Sequence, residues 1–128
     1  MNGNLIIYLL VAVMGLMAWP VLMDEAPDTS SLPPAATLAI STGKPVLLQF
    51  TASWCGPCQQ VKPEVQALSA QIKGKAEVVV IDIDHHRPLA RQYGIHGVPT
   101  FIALKNGKET GRISGGIPQS EMRRLLGL

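Results

Sequence analysis

A chain of 128 residues holds one ordinary domain at most. At 47% hydrophobic and 16% charged, it has too much apolar material for a disordered polymer. A net charge of +2, with basic residues scattered rather than clustered and no aromatics among them, argues against a nucleic-acid surface.

The first 23 residues, MNGNLIIYLLVAVMGLMAWPVLM, carry no charged side chain. The apolar run Leu5–Met23 approaches the roughly 20 helical residues that a bilayer core requires, and it has no polar face. A transmembrane anchor is expected here. A cleaved signal segment, giving a secreted protein, is the alternative. It fits less well: the run lacks a basic start, exceeds the usual apolar core of about 7 to 15 residues and lacks an Ala-x-Ala site. With Trp19 near the outer end, the amino terminus is expected in the cytoplasm and the remainder exported, to the bacterial periplasmic side or its equivalent. Residues 24–35, within DEAPDTSSLPPAA, are rich in Pro, Ser and acid and read as a linker.

Residues 36–128 read as the globular domain. They contain all eleven Lys and Arg against six Asp and Glu, which leaves +5 on a solvated surface. PAATLAIST, 34–42, suits a helix. PVLLQFTA, 45–52, is a short apolar run that suits a buried central strand. In CGPCQQVKPEVQALSAQI, Val61, Val65, Leu68 and Ile72 share one helical face. Pro57 is well placed near the helix start, and Pro63 predicts a kink. AEVVVIDID, 76–84, is a second buried strand, and RPLARQYG, 87–94, a short helix stopped by Gly94. VPTFIALKNGKETGRIS, 98–114, reads as a hairpin about Asn106-Gly107, and PQSEMRRLLGL as a closing helix. The order α-β-α-β-α-β-β-α predicts an α/β fold with a mixed central sheet flanked by helices on both faces.

The only two cysteines, Cys55 and Cys58, stand where a strand gives way to a helix. A helix amino terminus offers unpaired N–H groups and a partial positive charge, which stabilise a thiolate, the attacking species in disulfide exchange. Cys58 lies one turn along, so the spacing supplies a nucleophile and a resolving thiol. As a mere staple the pair would contribute roughly 2 kcal/mol, against almost 5 for a 100-residue loop. A zinc site would need about four ligands, and His85, His86 and His96 are not spaced as a second ligand pair, so no metal is expected.

These residues resemble the thioredoxin family. WCGPC at 54–58 is similar to the active-site motif of thioredoxins, Pro63 to the family's helix-kinking proline, and YGIHGVPTF at 93–101 to the segment carrying its cis-proline, on Pro99. KNG at 105–107 and Gly115 match a hairpin turn and a later glycine, and the likeness covers about residues 36–127. The resemblance implies a thioredoxin-like fold and a protein-disulfide reductase. Cys55 would attack a substrate disulfide and Cys58 would resolve the mixed disulfide. Trp54, Gly56, Pro57 and Pro99 would shape the site. Val98, with Gly97 and Gly115 nearby, would offer backbone to an extended substrate segment. No cofactor is implied beyond the redox-active Cys55–Cys58 disulfide. The implied partners are protein thiols and disulfides, apocytochromes among them, and a membrane electron donor. A monomer is expected.

Three positions depart from the family. Gln49 stands at its usual buried acid, Val80 at the lysine near that acid, and Thr51 at a second tryptophan. His85 and His96 fall on loops near the site by the resemblance, where their charge would tune Cys55. The competing functions are a disulfide oxidase or isomerase, a client-holding module without catalysis, and a copper carrier using Cys55, Cys58 and a histidine.

Overall fold

The computed structural model describes residues 28–128, together with Ile6, Leu9 and Ala12, which are helical and exposed. The expected anchor over residues 5–23 otherwise lies outside the described residues. Among those described, no helix is long and apolar enough to cross a membrane.

Within residues 28–128, eight elements follow in the order read from the sequence: α1 (Pro34–Ser41), β1 (Val46–Thr51), α2 (Gly56–Gln71), β2 (Glu77–Asp82), α3 (Arg87–Gln92), β3 (Thr100–Lys105), β4 (Lys108–Ser114) and α4 (Gln119–Leu126). The four strands form one sheet in the order β2-β1-β3-β4. β1 pairs parallel with β2 and antiparallel with β3, so the sheet is mixed.

Because successive side chains of a strand point to opposite faces, β1 and β3 each feed two cores. Val46, Leu48 and Phe50 of β1, with Ile102 and Leu104 of β3, meet Ala36 and Ala39 of α1 and Leu89 of α3. Leu47 and Phe101 face the other way, onto Val61, Val65 and Leu68 of α2 and Met122 and Leu126 of α4. The helical stripe Val61, Val65, Leu68 read from the sequence is the buried face of α2. That helix runs as one element through Pro63, which has no N–H to donate within it.

The folded part begins earlier than an extended spacer over 24–35 would allow. Leu32 is buried and α1 starts at Pro34. Ser31 Oγ donates to Gln92 Oε1 at 2.6 Å, and Gln92 Nε2 donates to the Asp28 carbonyl at 3.2 Å. An apolar side chain and a bonded backbone hold this stretch against α3.

The β3–β4 hairpin turns at Asn106 and Gly107, with φ of 53° and 78°. Two successive positive φ angles are what a type I′ turn demands, and they explain the Asn-Gly pair. Gly107→Ala puts a Cβ into that left-handed conformation. It should lower stability by about 1 kcal/mol, read as a shift of the urea midpoint at unchanged slope.

Candidate active site

The register of the sheet assembles the site. The carboxyl end of β1 lies between the carboxyl end of β2 and the start of β3, with Thr51 opposite Asp82 and Phe50 opposite Thr100. The chain leaving β1 therefore enters α2 beside both the turn after β2 and the loop before β3.

Cys55 is the N-cap of α2, in an extended conformation, and its Sγ accepts the Cys58 backbone N–H at 3.2 Å. A sulfur thus occupies the position that a capping oxygen usually takes. The two sulfurs are joined as a disulfide, with the Cα atoms 5.3 Å apart. Cys55 and Cys58 are 5% and 2% exposed and pack with Ala52, Ile83 and Val98. Across the cleft, the Val98–Pro99 peptide is cis and the Val98 carbonyl oxygen lies 3.5 Å from Cys55 Sγ. Gly97 stands on the same loop, with its carbonyl accepting from Thr100 Oγ1 at 2.7 Å. Gly115, at a φ of 100°, donates its N–H to the Pro99 carbonyl at 2.8 Å. Gly56 and Pro57 form the exposed first turn of α2. Trp54 is 68% exposed, yet its indole Nε1 donates to Asp84 Oδ2 at 2.9 Å, which fixes the ring at the rim.

The thioredoxin sequence profile matches residues 36–127. The chain belongs to the thioredoxin family. It is 43% identical over 79 residues to the chloroplastic thioredoxin Y of Oryza sativa subsp. japonica, covering 62% of this chain and 47% of that protein. It is 38% identical over 82 residues to thioredoxin 1 of Nostoc sp., covering 64% of this chain and 77% of that one. The chain thus spans about half the length of the rice relative. The X-ray structure of Fasciola hepatica thioredoxin superposes with a TM-score of 0.65 at 32% identity, covering 72% of this chain and 88% of that one. A thioredoxin-family domain whose two cysteines close as a disulfide is a thiol–disulfide oxidoreductase domain.

The three histidines of this thioredoxin domain lie on the segments around the site. His85 Nδ1 lies 3.3 Å from Asp82 Oδ2, His86 caps α3 through its backbone only, and His96 is exposed on the loop before Gly97. Among the described residues, no group of three or more His, Cys, Asp and Glu could hold a metal ion.

Two functional neighbours escape a reading that stops at the cysteine motif. Asp84 holds Trp54, and Asp82 supports Asp84 by accepting its backbone N–H at 2.8 Å. Their signal is the pair of acids closing VVVIDID, at the carboxyl end of a strand where ligands of open sheets bind. That N–H, more than the neighbouring His85, holds the Asp82 carboxyl below the ordinary carboxylate range, against an opposing partial burial. A depressed folded value contributes stability above the unfolded value and loses it as pH falls through the folded one. The difference in thermal midpoint between the parent and Asp82→Asn should therefore be full at neutral pH and close towards about pH 3.

Proposed function

We propose that this chain reduces protein disulfides by dithiol–disulfide exchange, on the exported side of a membrane to which residues 5–23 anchor it. The carrying observation is the placement of Cys55. Its sulfur sits at the amino terminus of α2, bonded to the Cys58 N–H and facing the Val98 backbone. Positive helix-end potential favours a thiolate there, and the adjoining backbone suits an extended substrate segment.

The cycle needs no cofactor. The Cys55 thiolate attacks one sulfur of a substrate disulfide. A mixed disulfide forms and the other substrate sulfur leaves as a thiolate. Cys58 then attacks Cys55, an intramolecular disulfide forms and the second substrate thiol is released. The substrate gains two electrons and the enzyme is left oxidised, so a dithiol must reset it. In an exporting compartment that dithiol has to be fed from the membrane side. Cysteine pairs of exported proteins, including apocytochromes before haem attachment, are the substrates that such a reductant serves. The apolar, uncharged run Leu5–Met23 supports the anchor, and the Gly56-Pro57 dipeptide between the cysteines supports the reducing direction.

The full chain in detergent should accelerate the reduction of insulin by dithiothreitol, and an unchanged rate would overturn the reductase reading. For the location, a membrane-impermeant maleimide applied to reduced, intact cells should label Cys55. Labelling only after lysis would overturn the export.

A further inference from the structure

Resolution by Cys58 requires its proton to leave. As the Cys58–Cys55 bond forms and the bond from Cys55 to substrate breaks, the substrate sulfur departs with the electron pair and takes a proton from water. The Cys58 S–H proton must reach solvent separately. Gln49, buried at 3% exposure in the wall of the cavity that Cys58 also lines, is an amide that neither gives nor takes a proton at neutral pH.

Beside Cys58 lies an open cavity of about 240 Å³, lined by Gln49, Ser53, Lys62 and Asp82 among others. It opens to solvent, and Gln49, Ser53, Lys62 and Asp82 set polar groups into an otherwise largely apolar wall, enough to hold water there. Two charges face it. Asp82, from β2, is already occupied by the Asp84 N–H and His85. Lys62 comes from α2, four residues beyond Cys58, and so lies on the same helix face one turn away. Among the described residues Lys62 has no ion-pair or hydrogen-bond partner. From β1 and the segment after it the cavity wall receives only neutral groups, Gln49, Thr51, Ala52 and Ser53, and Val98 packs against the pair itself.

We propose that Lys62 is the positioning residue that holds Cys58 as a thiolate during resolution, while solvent entering the open cavity carries the proton away. This rests on the reading of Cys58 as the resolving thiol. The ammonium stabilises the negative sulfur electrostatically and takes no part in bond making. Asp82, across the same cavity, opposes it.

The test is made on the full chain in the Cys55→Ser background, where Cys58 is the only thiol. The pH dependence of its alkylation by iodoacetamide gives its titration directly. Lys62→Gln should raise the midpoint by about half a unit or more and slow alkylation at pH 7 roughly threefold. Lys62→Arg should keep the parent midpoint, and Asp82→Asn should lower it. A midpoint unmoved by Lys62→Gln overturns the proposal, as does an equal rise in Lys62→Arg, which would mark loss of packing rather than of charge. Alkylation needs no disulfide substrate. A failed insulin assay would therefore remove the reductase reading and leave this result to stand or fall separately.

Discussion

Cys55→Ser removes turnover of a protein disulfide by roughly a thousandfold or more, because a hydroxyl cannot supply the thiolate that attacks sulfur. Serine keeps the N-cap, since its oxygen accepts the Cys58 N–H as the sulfur does. The fold should therefore survive, and a thermal midpoint within a few degrees of the reduced parent separates chemistry from unfolding. Cys58→Ser gives a different result. The first attack still occurs, but nothing resolves the product, so a covalent complex with substrate accumulates and is released by dithiothreitol. Equal loss in both variants with no trapped complex would contradict the assignment of Cys55 as nucleophile and Cys58 as resolver.

Phe50→Ala carries the largest expected loss of stability, about 3–5 kcal/mol. Phe50 is fully buried in β1, between Ile81 of β2 and Thr100 of β3, with its ring centroid 5.8 Å from that of Tyr93. Truncation removes the burial, opens a cavity and breaks the tilted ring pair. The loss is comparable with the whole stability of a small domain. Urea unfolding should show a much lower midpoint at unchanged slope. Phe50→Leu, which keeps most of the volume, should cost less than about 1.5 kcal/mol. A loss below about 1 kcal/mol in Phe50→Ala would mean that the two sheet faces are not packed as described.

The order of elements was readable because each carries a strong local signal. β1 and β3 are short apolar runs because both their faces are covered, and α2 shows its buried stripe at helical spacing. The Asn106-Gly107 turn announces itself by composition. The cysteines, Trp54 and the Val98–Pro99 loop were readable through a motif. What lay beyond it depends on tertiary placement. Asp84 reaches Trp54 across thirty positions, and Gln92 reaches Asp28 and Ser31 across more than sixty. Periodicity holds no record of such contacts. The docking of residues 28–33 is hidden for a related reason: Pro and Ser lower their apparent order, while buried Leu32 and the bonds of Ser31 and Asp28 to Gln92 hold them in place.

The reduction potential of the Cys55–Cys58 pair, measured on the full chain in detergent against glutathione buffers, tests the central claim most directly. A reductant of this family should lie near about −270 mV. A value at roughly −120 to −180 mV would make the pair an oxidant or isomerase and would contradict the reducing function.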